Sequence, residues 1–111
     1  ERGEAMADVA KNMYEGAPGT IDTLLYTTVA AGGIVRAIHV ANTTGTAATI
    51  TLGLNAGGAL AAANHFLTAL SIPANSTYDW SGFQVLNASA TIRALQGTAS
   101  ALTVTISGVE L

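Results

Sequence analysis

Residues 34–55 read IVRAIHVANTTGTAATITLGLN, and their alternation decides the fold class. Ile34, Ile38 and Val40 fall on one face of the first segment, residues 34–41. Ile50, Leu52 and Leu54 share one face of the second, residues 48–54, with Thr49, Thr51 and Gly53 opposite. Period two with β-branched residues, on both sides of the polar link Asn42-Thr43-Thr44-Gly45-Thr46, is the pattern of a β-hairpin. A lone hairpin is marginal in water, so this one is expected in the middle of a larger sheet.

Working outward, the same texture recurs. Residues 22–30 (DTLLYTTVA) form a strand candidate that Ala31-Gly32-Gly33 turns into the hairpin. Residues 59–64 read equally as a helical turn or a small-residue loop. Residues 65–72 resume alternation, with Phe66, Leu70 and Ile72 on one side. After the turn Pro73-Ala74-Asn75-Ser76 come two short strands, 77–80 and 83–86, around Ser81-Gly82. They carry Tyr78, Trp80 and Phe83, of which Trp80 and Phe83 are expected to plug one end of the core. Residues 90–96 and 101–111 complete the set, and Val109 and Leu111 extend past Gly108 as a candidate edge strand for a neighbour. About eight short strands at roughly ten-residue spacing predict an antiparallel β-sandwich or barrel.

Charge is unevenly spread. Only 10% of residues are charged, against a usual quarter. Glu1, Arg2, Glu4, Asp8, Lys11, Glu15 and Asp22 crowd into the first 22 positions, and beyond them stand only Arg36, Asp79, Arg93 and Glu110. A free monomer uses mixed charges to stay soluble. A body clothed in Thr, Ser, Asn, Ala and Gly therefore reads as one whose surface touches other subunits, or else as a polar-surfaced secreted or thermostable domain. The net charge of −3 argues against a nucleic-acid partner. No block of about 18 consecutive apolar residues exists, so no transmembrane helix is expected. Nor is there a recognisable secretory signal.

Residues 1–20 differ from the rest and read as an N-terminal arm before a sandwich domain at 21–111. Residues 5–14 have a short helical stripe (Met6, Val9, Ala10, Met13) before the breaker Gly16-Ala17-Pro18-Gly19. Two and a half turns are not stable alone. The segment is thus either a loose terminus or an arm that orders on a partner through Met6, Val9, Met13, Tyr14 and Pro18.

Chemistry-bearing constellations are sparse. There is no cysteine, so disulfides and thiolate metal sites are excluded. His39, His65 and Asp79 are the only material for a metal site, and nothing in their spacing supports one; no cofactor is expected. A Ser-His-Asp set drawn from His39 and Asp79 lacks a Gly-x-Ser-x-Gly anchor, so no enzyme is expected. Gly32-Gly33 and Gly57-Gly58 are turn glycines without a following Lys-bearing helix. Arg36 shares the face of Ile34, Ile38 and Val40 unless a bulge intervenes. It snorkels to the rim, pairs with Asp79 or Glu110, or reaches a partner. Arg93 is likewise an interface or structural charge. The Asn-x-Ser/Thr triplets at Asn42, Asn75 and Asn87 carry no glycosylation reading in so Ser- and Thr-rich a chain.

The order of pieces is an arm ending in Ala-Pro-Gly-Thr, then LLYTTVAAGG, IVRAIHVANTTGTAATITLGL, SIPANSTYDW and a closing ALTVTISGVEL. Over residues 17–111 it resembles the small β-sandwich structural proteins of tailed-bacteriophage virions, above all capsid decoration (cement) proteins. The resemblance implies a jelly-roll or immunoglobulin-like sandwich and a homo-oligomer, often a trimer. It also implies a capsid-surface location, with the arm gripping the major capsid protein or another virion protein. A tail, neck or fibre component fits the same texture. A carbohydrate-binding or adhesin module is the other reading, with Tyr78 and Trp80 as its aromatics.

Overall fold

A computed structural model describes residues 8–111, and within them the chain is all β but for a single 3-10 turn at Ala62–Asn64. The strands are β1 (Val9–Gly16), β2 (Thr23–Thr27), β3 (Gly33–Asn42), β4 (Ala48–Ala56), β5 (His65–Ile72), β6 (Thr77–Leu86), β7 (Thr91–Gln96) and β8 (Leu102–Glu110). They form two four-stranded antiparallel sheets, β1-β8-β3-β6 and β2-β7-β4-β5, packed against each other.

The pairing follows one rule. β1 pairs with β8, β2 with β7, β3 with β6 and β4 with β5. In all four ladders the partners' numbers add to 117–120: Thr23 faces Ala94 (117), Val9 faces Glu110 (119) and Ala48 faces Ile72 (120). The chain is therefore one long hairpin with its tip near residues 58–60. It is wrapped so that β3 also meets β8 and β4 also meets β7. That is the jelly-roll arrangement, one of the two sandwich topologies expected.

The core lies between the sheets. Val35, Ile38, Val40, Leu102, Val104 and Ile106 come from one sheet; Ile50, Leu52, Leu54, Leu67, Ile72 and Ile92 come from the other. Burying each such side chain fully is worth about 1.5–3 kcal/mol. Ile50, Leu52 and Leu54 point inward as their alternation requires. A second tie joins the sheets at one end, where the Tyr26 hydroxyl donates to Glu110 Oε2 at 2.5 Å. Burial, then the hydrogen bond to this carboxylate, pushes the Tyr26 phenol well above its ordinary range, so it stays neutral.

Several expectations need correcting. The stretch at 34–55 is not a hairpin: β3 and β4 lie in different sheets, and their link is a corner. Buried Asn42 makes that corner. Its Oδ1 accepts from Thr44 N at 2.9 Å and Thr44 Oγ1 at 2.7 Å, while its Nδ2 donates to Thr46 O at 2.8 Å and Ile72 O at 3.0 Å. An Asx turn thus bends the chain across the sandwich instead of back along the sheet. The helical stripe is overturned as well: Val9–Gly16 is a strand, because laddering on β8 satisfies its backbone where a two-turn helix would fray. The first sheet thus includes part of the segment read as an arm. Nor is the C-terminal strand an edge, since β8 sits between β1 and β3.

Bulges explain the remaining differences. Residues 77–86 are one strand, not two, with Gly82 and Phe83 inserted opposite a β3 bulge at Arg36. That bulge flips parity, so Val35 is buried and Ile34 faces outward, away from Ile38 and Val40. Phe83 consequently plugs nothing and is 64% exposed, whereas Trp80 packs against the core with its ring 5.0 Å from Phe66, edge to face. In β5 a bulge at Ala69 (φ 43°) buries Leu67 with Ile72, leaving Phe66 and Leu70 half-buried.

Gly108 is required by close packing. A Cβ there would stand 2.1 Å from the Ile34 carbonyl oxygen and 2.7 Å from Met13 Cε. Gly108→Ala is expected to cost about 2–3 kcal/mol. Urea unfolding would show a lower midpoint at unchanged slope. An unaltered midpoint would refute the close approach.

Candidate interaction surface

The two outer sheet faces differ in cover. Over the β2-β7-β4-β5 sheet, the segment after β4 folds back: a Cβ on Gly53 would meet Leu60 Cδ2 at 2.4 Å. Asp22 fastens this cover. Its Oδ2 accepts from Leu60 N at 2.9 Å, and its Oδ1 pairs with Arg93 Nη1 at 3.3 Å. Arg93 is therefore a structural charge with a partner, and the ion pair is only part-exposed.

The outer face of the β1-β8-β3-β6 sheet carries no such flap among the described residues. Reading across the strands, one row is Ala10, Val109, Ile34 and Val85, all apolar and none fully buried. The next is Asn12, Ser107, Ala37 and Ser81; the third is Glu15, Thr105, His39 and Asp79. Directly opposed residues share a face, so these rows form a continuous surface. Phe83 stands beside the apolar end of it. The Arg36 Nε donates to the Gly82 carbonyl at 2.8 Å, pinning the doubled bulge that presents Phe83. Arg36 pairs with neither Asp79 nor Glu110: His39 Nδ1 contacts Asp79 Oδ1 at 2.5 Å, and Glu110 serves Tyr26.

Two edges border this surface and its partner sheet on the same side. β5 carries no formal charge, and β6 carries only Asp79. Edges are normally guarded by Lys, Pro or a covering loop. These two lack the side-chain guards.

The arm residues scatter. Met6 lies outside the described residues. Val9 is exposed on β1, Met13 is buried in the protein's own core, and Tyr14 is half-buried. Pro18 is buried, with its carbonyl accepting from the Gln96 side chain, whose Oε1 in turn accepts from Leu102 N at 2.8 Å. Sequence reasoning missed Asn42 and Gln96 as buried polar ties. For Asn42 the signal was present in Asn-Thr-Thr-Gly; for Gln96 there was none. It also missed the outward row, because the bulge at Arg36 and the two residues Gly82-Phe83 opposite it decide it.

Chemically, His39 and Asp79 form an exposed imidazole–carboxylate pair on an open sheet, with Thr105 as the next side chain in register. His65 lies on the other sheet, and no group of three metal-ligating side chains occurs among the described residues. No helix there is long and apolar enough to cross a membrane. No family model, no curated protein and no solved structure matches the chain.

Proposed function

We propose that this protein is a non-enzymatic structural protein of a bacteriophage virion, a capsid decoration (cement) protein that works as a homo-oligomer, with a trimer favoured. One observation carries the reading: the uncovered outer face of the β1-β8-β3-β6 sheet, with its apolar row from Ala10 to Val85 and the projecting Phe83. The uncharged end of this surface, small side chains with a few large apolar ones, suits burial against another protein, since little side-chain entropy is lost there, and the row Glu15, Thr105, His39 and Asp79 borders it. The jelly roll recurs in viral capsid domains, which supports the reading by analogy of fold alone. Copies of the chain meet through this face, and the rest of the surface contacts the major capsid protein.

The test is size-exclusion chromatography with light scattering on the purified chain, beside the variant Val85→Asp. The wild type is expected to run as a trimer and the variant as a monomer with an unchanged circular dichroism spectrum. A charge on this apolar row, beside the projecting Phe83, leaves an unpaired group desolvated in the contact, enough to shift self-association by 100-fold or more, roughly 3 kcal/mol. A wild-type monomer at high concentration that fails to co-sediment with capsids would overturn the proposal.

A further inference from the structure

Between these two edges, where β5 and β6 face each other across the side of the sandwich, lies a cleft of about 300 Å³. From the residues lining it we infer that this cleft is a binding site for a single neutral sugar unit. The inference does not depend on the assembly reading above.

Among the described residues no Asp, Glu, Lys or Arg lines the cleft, so none of them selects a charged ligand. Its walls combine an aromatic ring, Phe66, and the apolar Leu54 with amides and an imidazole. A pyranose has the matching character, an apolar C–H face and a rim of hydroxyls that both donate and accept. The volume is at the low end of small-molecule sites, which suits one ring rather than a chain.

Three of the four polar groups, Asn55, Asn64 and His65, are held in place before any ligand arrives. Asn55 sits at φ 61°, its Nδ2 donating to Val85 O at 3.0 Å and its Oδ1 accepting from Asn87 N at 2.8 Å. Asn64 Nδ2 donates to Asn55 O at 3.3 Å, which leaves the Asn64 Oδ1 for a ligand. His65 uses Nδ1 on Thr68 Oγ1 at 3.0 Å, which leaves Nε2 for a second polar contact. The Gln84 amide faces them from β6 and brings both a donor and an acceptor. Phe66 is fixed by its edge-to-face contact with Trp80. Three fixed polar groups beside an aromatic wall lower the ordering cost of binding, the main obstacle for a ligand this small.

The experiment is a titration of the 15N-labelled protein with glucose, galactose, N-acetylglucosamine and rhamnose in turn, followed by amide chemical shifts. At least one is expected to give saturable shifts centred on Asn64, His65, Phe66 and Gln84, with Kd on the order of 1 mM. Gln84→Leu should weaken that binding about tenfold, because it leaves sugar hydroxyls unpaired, while the unfolding midpoint stays put. Phe66→Ala should abolish binding; since it also loosens Trp80, Gln84→Leu is the deciding variant. Absence of saturable shifts up to about 100 mM of every sugar, or shifts indifferent to Gln84→Leu, overturns the site. Tighter binding of sialic acid than of any neutral sugar overturns its class. A monomer that fails to co-sediment with capsids yet binds sugar would refute the assembly reading and leave this one standing.

Discussion

Deleting residues 1–16 is expected to abolish the cooperative fold, not merely to detach an appendage. β1 ladders along β8 from Val9 opposite Glu110 to Gly16 opposite Val104, and its Met13 belongs to the core. Removing a buried side chain of that size costs about 2–5 kcal/mol by itself. The deletion also exposes a full flank of β8 and strips the cover from Gly108. The total reaches the 5–15 kcal/mol that holds a whole domain together. In urea, the truncated chain should show no cooperative transition, or one displaced to near zero denaturant. Met13→Ala, by contrast, should fold with about 2–4 kcal/mol less stability. If the truncated protein instead unfolds at the full-length midpoint, the strand is dispensable and residues 1–16 are an arm after all.

Asn42→Ala is expected to be the most damaging single polar substitution, at roughly 3–4 kcal/mol. The side chain satisfies the part-buried Thr44 amide and the buried Ile72 carbonyl, and alanine orphans both. Each buried orphan costs about 1–3 kcal/mol. Asn42→Asp separates hydrogen bonding from shape. Its carboxylate still accepts from Thr44 but faces the Thr46 and Ile72 carbonyls, so burial and repulsion raise its folded pKa above the ordinary value near 4. A raised acid pKa means stability that is present at low pH and lost as pH rises through the folded value. The aspartate variant should therefore unfold at a higher urea concentration at acid pH than at neutral pH, relative to wild type. A flat difference across pH would show that the corner is wet.

How far the fold could be read from the residues depended on parity. In β4 and β8 the apolar alternation of Ile50-Leu52-Leu54 and Leu102-Val104-Ile106 runs unbroken long enough to name both the strand and its buried face. A one-residue bulge reverses every face beyond it. Three such interruptions, at Arg36, at Gly82-Phe83 and at Ala69, hid the outward Ile34 and Val85 and the inward Leu67. Sheet membership was illegible for another reason. A corner and a hairpin turn share the vocabulary Asn, Thr and Gly, and only the four bonds of Asn42 tell them apart. The strand at Val9–Gly16 was obscured by a helical stripe, because Met13 and Val9 satisfy a period near four as well as a bulged ladder. The sugar cleft is assembled from β4, the 3-10 turn, β5 and β6, so no single window of sequence contains it.

Because each strand pairs with its mirror image across residues 58–60, closure from the tip outward is the order that costs least loop entropy. Closing β4 on β5 needs only the short segment around Gly57-Gly58. That brings β3 beside β6, then β2 beside β7, and finally β1 beside β8. Each step closes a loop of about ten residues on a structure already formed, which avoids the full entropy and slow search of distant pairs. On the ribosome the same rule works against the first strand. β1 emerges earliest and finds its partner last. At about 5–20 residues per second, it waits many seconds for β8 to be made. Lys11 and Glu15 stand in that strand, in the only charge-rich part of the sequence. Charges of this kind disfavour association of an unpaired strand with other chains, and here they stand in the strand whose partner is made last.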